Sequence, residues 1–284
     1  MAVPKQADGD YRHISVQPMN GALGASITGV DLSQPMAPDV FAEVERAFHE
    51  NLVVFFPGQD LAPGEQVAFT RHFGAVEQHP LGSRKGLDEW PEVMTLVNQP
   101  GKLGPRNDFW HSDISFGETP PLGSILHAIE ITEGRSDTMF CNMYAAYETL
   151  SDGLKATLQT LTGLHSAERL TQEVPNRLSV DTAPPPVEHP VVRRHPGTGR
   201  QALYVNPHYT LSFKGWSEEE SASLLDYLTA NAIRPENIYR HRWSVGDLLM
   251  WDNRCTMHYA LRDYDDSMPR YMHRTTAAGD RPIA

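Results

Sequence analysis

The residue pattern predicts a mainly β chain with flanking helices packed against it as one domain. Three observations carry that expectation. Strand-like runs are short and end in glycine or proline turn signals. Helical periodicities are confined to a few brief segments between them. No repeat, low-complexity linker or break in composition divides the 284 residues.

Residues 1–12 are polar and are expected to form a flexible N-terminus, leaving 13–284 as the domain. Ile14 and Val16, followed by Gly21, Gly24 and Gly29, suggest short strands and turns. Phe41, Val44 and Phe48 share one helical face over 38–50. Leu52–Phe56 reads as a short buried strand, stopped by Pro57-Gly58, and Phe69 and Phe73 stand one turn apart in a helix over 63–73. The stretch 77–109 is loop-rich and longer than an ordinary connection, a candidate pocket rim. Strands are expected at 122–131 and 137–142, then a helix after Ser151 that carries Leu154, Leu158 and Leu161 and closes near Gly163. Residues 166–190 look irregular, with Pro184-Pro185-Pro186 excluding a helix. Ser217 and Glu220 form a capping box ahead of Leu224, Leu225 and Leu228. Arg242–Trp251 and Arg270–Thr276 close the chain as strands.

Hydrophobic residues are 40% and charged residues 21%, ordinary for a soluble globular protein. A net charge of −12 argues against a nucleic-acid partner, which needs a basic face. A few local arginines can still attract a small anion at short range. No apolar run approaches the roughly 18 residues of a membrane span, and no apolar signal-like run opens the sequence. No membrane partner and a cytoplasmic location are therefore expected. The two cysteines, Cys141 and Cys255, form no CxxC pair and read as reduced, buried thiols.

The chemistry concentrates in Trp110-His111-Ser112-Asp113 and, far downstream, His258 and Arg270. In a strand, residues two apart share a face, so His111 and Asp113 would point the same way. A distant His completes a three-ligand set that leaves positions open on one side of a metal, as non-haem Fe(II) oxygenases require. Arg270 is a permanently charged fork suited to a carboxylate, for which 2-oxoglutarate is the candidate. Arg270 and Arg274 share a strand face about 13 Å apart at the backbone, so their side chains could serve opposite ends of one cavity. The other reading of the constellation is a redox-silent metal-binding β-barrel. His127, His165, His189, His195 and His241 are read as structural, and Trp110 and Trp251 as core aromatics. Asp247 and Asp252 are read as turn-fixing residues.

The chain resembles the taurine dioxygenase and 2,4-dichlorophenoxyacetate dioxygenase family of Fe(II)/2-oxoglutarate-dependent oxygenases. The resemblance rests on GASITGVDL (24–32), VVFFPGQ (53–59), FTRHFG (69–74), WHSDISFGETPP (110–121), Asp137-Thr138, Val205-Asn206, Gly246-Asp247 and WDNRCTMH (251–258). It implies a double-stranded β-helix, or jelly roll, with iron held by His111, Asp113 and His258. It further implies 2-oxoglutarate held by Thr138 and Arg270, substrate contacts from His79, Asn107 and Arg274, dioxygen as second cosubstrate, and a homo-oligomer, dimer or tetramer. The substrate class implied is a small organic anion: a sulfonate as in taurine catabolism, a sulfate ester, or an aryloxyalkanoate. Taurine dioxygenase carries a tyrosine three residues after its pocket histidine. Here Gly82 stands there, so a substrate bulkier than taurine is expected.

Overall fold

The computed structural model describes residues 11–19, 21–78, 86–101, 107–169 and 184–284. Strands β1 (Ser15–Pro18) and β2 (Ala25–Thr28) come first, then helix α1 (Pro38–Asn51), strand β3 (Val53–Phe56) and helix α2 (Pro63–Arg71). Strands β4 (Met94–Asn98), β5 (Gly123–Glu130) and β6 (Thr138–Asn142) follow; β6 runs directly into α3 (Met143–Glu148), ahead of α4 (Asp152–Leu158) and β7 (Thr162–His165). Then come β8 (Val187–Pro190), β9 (Val192–Arg194), β10 (Gln201–Leu203) and β11 (Thr210–Phe213), and helix α5 (Glu218–Ala232). The last strands are β12 (Ile238–His241), β13 (Leu248–Asp252), β14 (Thr256–Ala260) and β15 (Arg270–Ala277).

Among the described residues, seven strands form one sheet in the order β1-β2-β3-β13-β5-β15-β4, antiparallel except at β2–β3. The antiparallel sheet β12-β6-β14 packs against it across the main core, with β11-β7-β8 and the β9–β10 hairpin beyond. The chain is thus mostly β, with helices on the outside.

β13 shows how the sequence builds two layers at once. Leu249 and Trp251 enter the core shared with Phe140 of β6 and Met257 of β14. Leu248 and Met250 face the other way, against Val44 and Phe48 of α1 and Phe69 of α2. A strand covered on both faces reads as a continuous apolar run, as Leu248-Leu249-Met250-Trp251 does. Proline at the first helical position, which needs no N–H partner, starts both α1 and α2. The predicted capping box closes on α5: Glu220 N donates to Ser217 Oγ at 3.1 Å, and Ser217 N to Glu220 Oε2 at 2.8 Å.

Four expectations need correction. The stretch 166–190, read as irregular, ends in β8, which pairs with β7. The strand predicted over Arg242–Trp251 begins only at Leu248, because Ser244–Asp247 turn first. Gly246 sits there at φ +84, with Gly58 Cα 3.1 Å from where a Cβ would stand. The predicted helix after Ser151 stops at Leu158, and Thr162–His165 pairs as a strand instead. The stretch read as loop-rich contains β4, which forms the sheet edge beside β15. Both cysteines are buried and free, as expected. No helix among the described residues is long and apolar enough to cross a membrane.

Candidate metal centre and the cleft beside it

His258 lies in β14, and the His111 segment runs alongside it. His111 N donates to His258 O at 3.1 Å, and His258 N returns a bond to His111 O at 2.8 Å. The strand expected around His111 is only this single bridge. Past Asp113 the chain turns, with Ile114 at φ +50, a left-handed conformation costly for a β-branched residue. His111 and Asp113 nevertheless point to one place: His111 Nε2 and His258 Nε2 each lie 3.9 Å from Asp113 Oδ1. The three donor atoms fall within 4.8 Å of one another, and all three residues are buried.

That spacing is too long for hydrogen bonds and leaves the donors facing a common point. Their protonation suits a cation there. His111 Nδ1 bonds Phe109 O at 2.8 Å, which puts the ring proton on Nδ1 and leaves the Nε2 lone pair free. Burial, reinforced by neighbouring His258, lowers the His111 pKa to about 3; burial likewise lowers His258 to about 4. Burial opposes ionisation of Asp113, yet Arg274 and the two histidines hold its carboxyl well below the usual range. Among the described residues, only Oδ2 of Asp113 is engaged in hydrogen bonds. It accepts from Arg274 Nη2 at 2.8 Å and from Ser124 Oγ at 2.8 Å. Asn253 braces this arrangement, giving Nδ2 to Ser124 Oγ at 3.2 Å and accepting the Asp113 N–H at 3.3 Å. Two neutral imidazoles and an ionised carboxylate oxygen, on one side of the point they share, fit a divalent ion with open positions.

A cleft opens beside His258. Its one wall, from the large sheet, carries Leu96, Arg270 and Arg274; the opposite wall carries Thr138 and His258. Trp243 Nε1 donates to Thr138 Oγ1 at 3.1 Å, so the threonine hydrogen remains available to an acceptor in the cleft. Arg270 Nε is buried with no partner among the described residues, and burial lowers the guanidinium pKa. A guanidinium in that state is completed by an anion. Asn107 also lines the cleft. Arg274 reaches it too, but its Nη2 rests on Asp113 and Ser124, and its Nε is buried without a hydrogen-bond partner among the described residues. His79 and Gly82 lie outside the described residues.

The sequence reading missed several neighbours of the site. Phe109 and His208 stack with ring centroids 3.6 Å apart, and Tyr209 meets His111 edge-on at 5.9 Å, forming an aromatic wall beside His111. Ser124, Asn253 and Arg262 were missed as well. Asn253 lay within a quoted block, and Arg262 follows His258 in even register, a signal that was available. The five histidines read as structural are all bonded: His127 to Gln59 O, His165 to Ser115, His189 to Gly117 O, His195 to Asp252 and His241 to Asp247.

His49, His195 and Asp252 form a second group with ligand atoms within 4.8 Å of one another. Here the atoms are already taken. His195 Nε2 bonds Asp252 Oδ2 at 2.9 Å, while its Nδ1 accepts from Gly197 N and Thr198 N at 3.1 and 3.0 Å. Arg254 grips both carboxylate oxygens, Nε to Oδ1 at 2.8 Å and Nη2 to Oδ2 at 2.7 Å, and its Nη2 lies 3.3 Å from His49 Nε2. Asp252 also accepts the Arg254 N–H at 2.9 Å, the turn-fixing role expected of it.

Fold and site together describe a mostly β protein in which two histidines and a carboxylate, arranged so that they could hold a metal ion, lie at the edge of a cleft lined by arginines. The profile described as "Taurine catabolism dioxygenase TauD, TfdA family" matches residues 15–276. The chain is 34% identical over 287 residues to an alpha-ketoglutarate-dependent 2,4-dichlorophenoxyacetate dioxygenase of Cupriavidus pinatubonensis, covering 95% of this chain and 99% of the relative. It is 33% identical over 281 residues to an alpha-ketoglutarate-dependent sulfate ester dioxygenase of Pseudomonas putida, covering 95% and 91%. A taurine dioxygenase structure from Burkholderia xenovorans superposes with a TM-score of 0.83 at 35% identity, covering 96% of this chain and 93% of the other. The chain belongs to this family. It is a dioxygenase dependent on Fe(II), 2-oxoglutarate and dioxygen.

Proposed function

We propose that His111, Asp113 and His258 hold the iron, that Thr138 and Arg270 hold the distal carboxylate of 2-oxoglutarate, and that Asn107, Arg274 and His79 receive a small organic anion. The observation that carries this reading is the shared cleft: Thr138, His258, Arg270 and Arg274 line one space from two facing sheets. The two facing, largely antiparallel sheets support a double-stranded β-helix, with 13–284 as a single oxygenase domain; the expected flexible N-terminus, 1–12, lies mostly outside the described residues. A cytoplasmic homo-oligomer, dimer or tetramer, completes the proposal.

When bound, the ferrous ion supplies the oxidising chemistry by which 2-oxoglutarate and dioxygen become succinate and carbon dioxide and a substrate C–H becomes C–OH. The chain's own residues orient and insulate. Arg274 and Ser124 occupy Asp113 Oδ2 and so present Oδ1 alone to the metal. Phe109, His208 and Tyr209 shield His111 from water. The Arg270 fork and the Thr138 hydroxyl set the direction from which the cosubstrate enters. A substrate hydroxylated at a carbon bearing a sulfonate, a sulfate-ester oxygen or an aryl-ether oxygen then breaks apart, releasing sulfite, sulfate or a phenol with a carbonyl product.

Relatives named for a sulfate ester and for an aryloxyacetate support an anionic substrate with an alkyl or aryl body. Among these the reading favours sulfonates and sulfate esters, with aryloxyalkanoates as the alternative, and a body larger than that of taurine. Succinate release across taurine, alkyl sulfates and phenoxyalkanoates tests it. An alkyl sulfate or a phenoxyalkanoate is expected to give the highest kcat/KM; taurine at the top of the panel would refute the larger pocket.

A further inference from the structure

β14 leaves its sheet at Ala260, but the chain keeps its alternation. His258, Ala260, Arg262 and Tyr264, every second residue, all line the cleft. The backbone there is pinned beside the entry to β6. Leu261 N donates to Asp137 O at 2.9 Å, and Ser136 N donates to Asp263 Oδ1 at 2.7 Å. Asp137 is in turn held by Arg240 Nε at 2.7 Å.

Register then fixes what Arg262 can reach. Ala260 is the cross-strand partner of Thr138. The residue two positions beyond a cross-strand partner stands diagonally across, about 7–8 Å away, within range of a long side chain. Arg262 therefore serves the same volume as the Thr138 hydroxyl, from the same wall, while Arg270 faces it from β15. Arg262 Nη1 is buried with no hydrogen-bond partner among the described residues, and Arg270 Nε is in the same state. Two incompletely bonded guanidiniums and one hydroxyl donor around one space are satisfied together by a single carboxylate, whose two oxygens offer about four acceptor positions.

We propose that Arg262 is a second guanidinium for the distal carboxylate of 2-oxoglutarate, closing on it from the β14 side as Arg270 closes from the β15 side. The inference rests on the assignment of Thr138 and Arg270 given above. It makes Arg262 a specificity residue: the double clamp favours 2-oxo diacids over 2-oxo monoacids of the same length.

Binding, measured without turnover, tests this. Fe(II)-loaded protein is titrated anaerobically with 2-oxoglutarate and with 2-oxopentanoate, which lacks the distal carboxylate, reading the visible absorption of the complex. Calorimetry on the Mn(II)-loaded protein gives an independent Kd. Arg262→Ala is expected to weaken 2-oxoglutarate about tenfold, the scale of one charge-assisted hydrogen bond, and to leave 2-oxopentanoate within about twofold. Arg262→Lys is expected to recover part of the loss. The proposal is overturned if Arg262→Ala binds 2-oxoglutarate like the unaltered protein, or weakens both acids alike. It is equally overturned if only the KM of an alkyl sulfate rises, which would move Arg262 to the substrate. Failure of the underlying reading looks different: Arg270→Ala would also bind 2-oxoglutarate normally.

Discussion

Among the described residues, two histidines and an aspartate come together twice, and the two groups are wired in opposite ways. Around Asp113 the histidine nitrogens stand 3.9 Å from Oδ1, too far for a hydrogen bond. Around Asp252 the histidine is 2.9 Å from the carboxylate and a guanidinium lies across both oxygens. Each aspartate is held ionised against burial mainly by an arginine, Arg274 in one case and Arg254 in the other. What differs is where the arginine sits. Arg274 takes Oδ2 alone and leaves Oδ1 open to a metal; Arg254 takes both oxygens. Residue type and proximity do not make a metal site. An unengaged lone pair on each donor does.

Loss of a ligand in the open group has the largest expected effect. His111→Ala, Asp113→Ala and His258→Ala each remove one of the three proposed iron ligands, and succinate release should fall to background. Near-normal succinate formation by any of them would break the comparison from one side. In the closed group the expected loss is stability. Arg254→Ala strands the buried Asp252 charge, which should cost about 3–5 kcal/mol and lower Tm by roughly 10 °C. A melting curve unchanged from the parent would show that Asp252 does not depend on its arginine.

Next comes Arg270→Ala. Loss of a charge-assisted fork should weaken 2-oxoglutarate by about 2–4 kcal/mol while Fe(II) still binds, as separate titrations of the two would show. The smallest effect is acid dependence. The Asp252 carboxyl is depressed in the folded state, so its contribution is complete above the unfolded value of about 3.9 and fades as pH falls through the lower folded value. Below about pH 4 the parent protein should lose Tm faster than Asp252→Asn. Parallel acid slopes would assign the loss to other groups.

Much of this was legible in the residues. The bounds of α1, α2, β3, β5 and the α5 cap follow from local periodicity and capping chemistry, which act within a few residues. His111 and Asp113 share a direction because they are two apart; the full strand around them failed because Ile114 turns the chain. The closed group was not legible. His49, His195 and Arg254 come from α1, the turn after β9 and the turn after β13, and only the tertiary fold brings them to Asp252. β4 was lost among glycines and prolines because an edge strand of five residues carries little pattern. Arg262 belongs to no motif; its even spacing from His258 hinted at a shared face, and the pairing of Ala260 with Thr138 fixed which wall that face belongs to.

The central claim is that the open group, and not the closed one, binds the iron and with it 2-oxoglutarate. Anaerobic titration of Fe(II) with 2-oxoglutarate, followed by visible absorption, tests it on three proteins side by side. The account predicts one iron per chain and a cosubstrate-dependent band for the unaltered protein and for His49→Gln, and neither for Asp113→Ala. Iron and band retained by Asp113→Ala but lost from His49→Gln would contradict it.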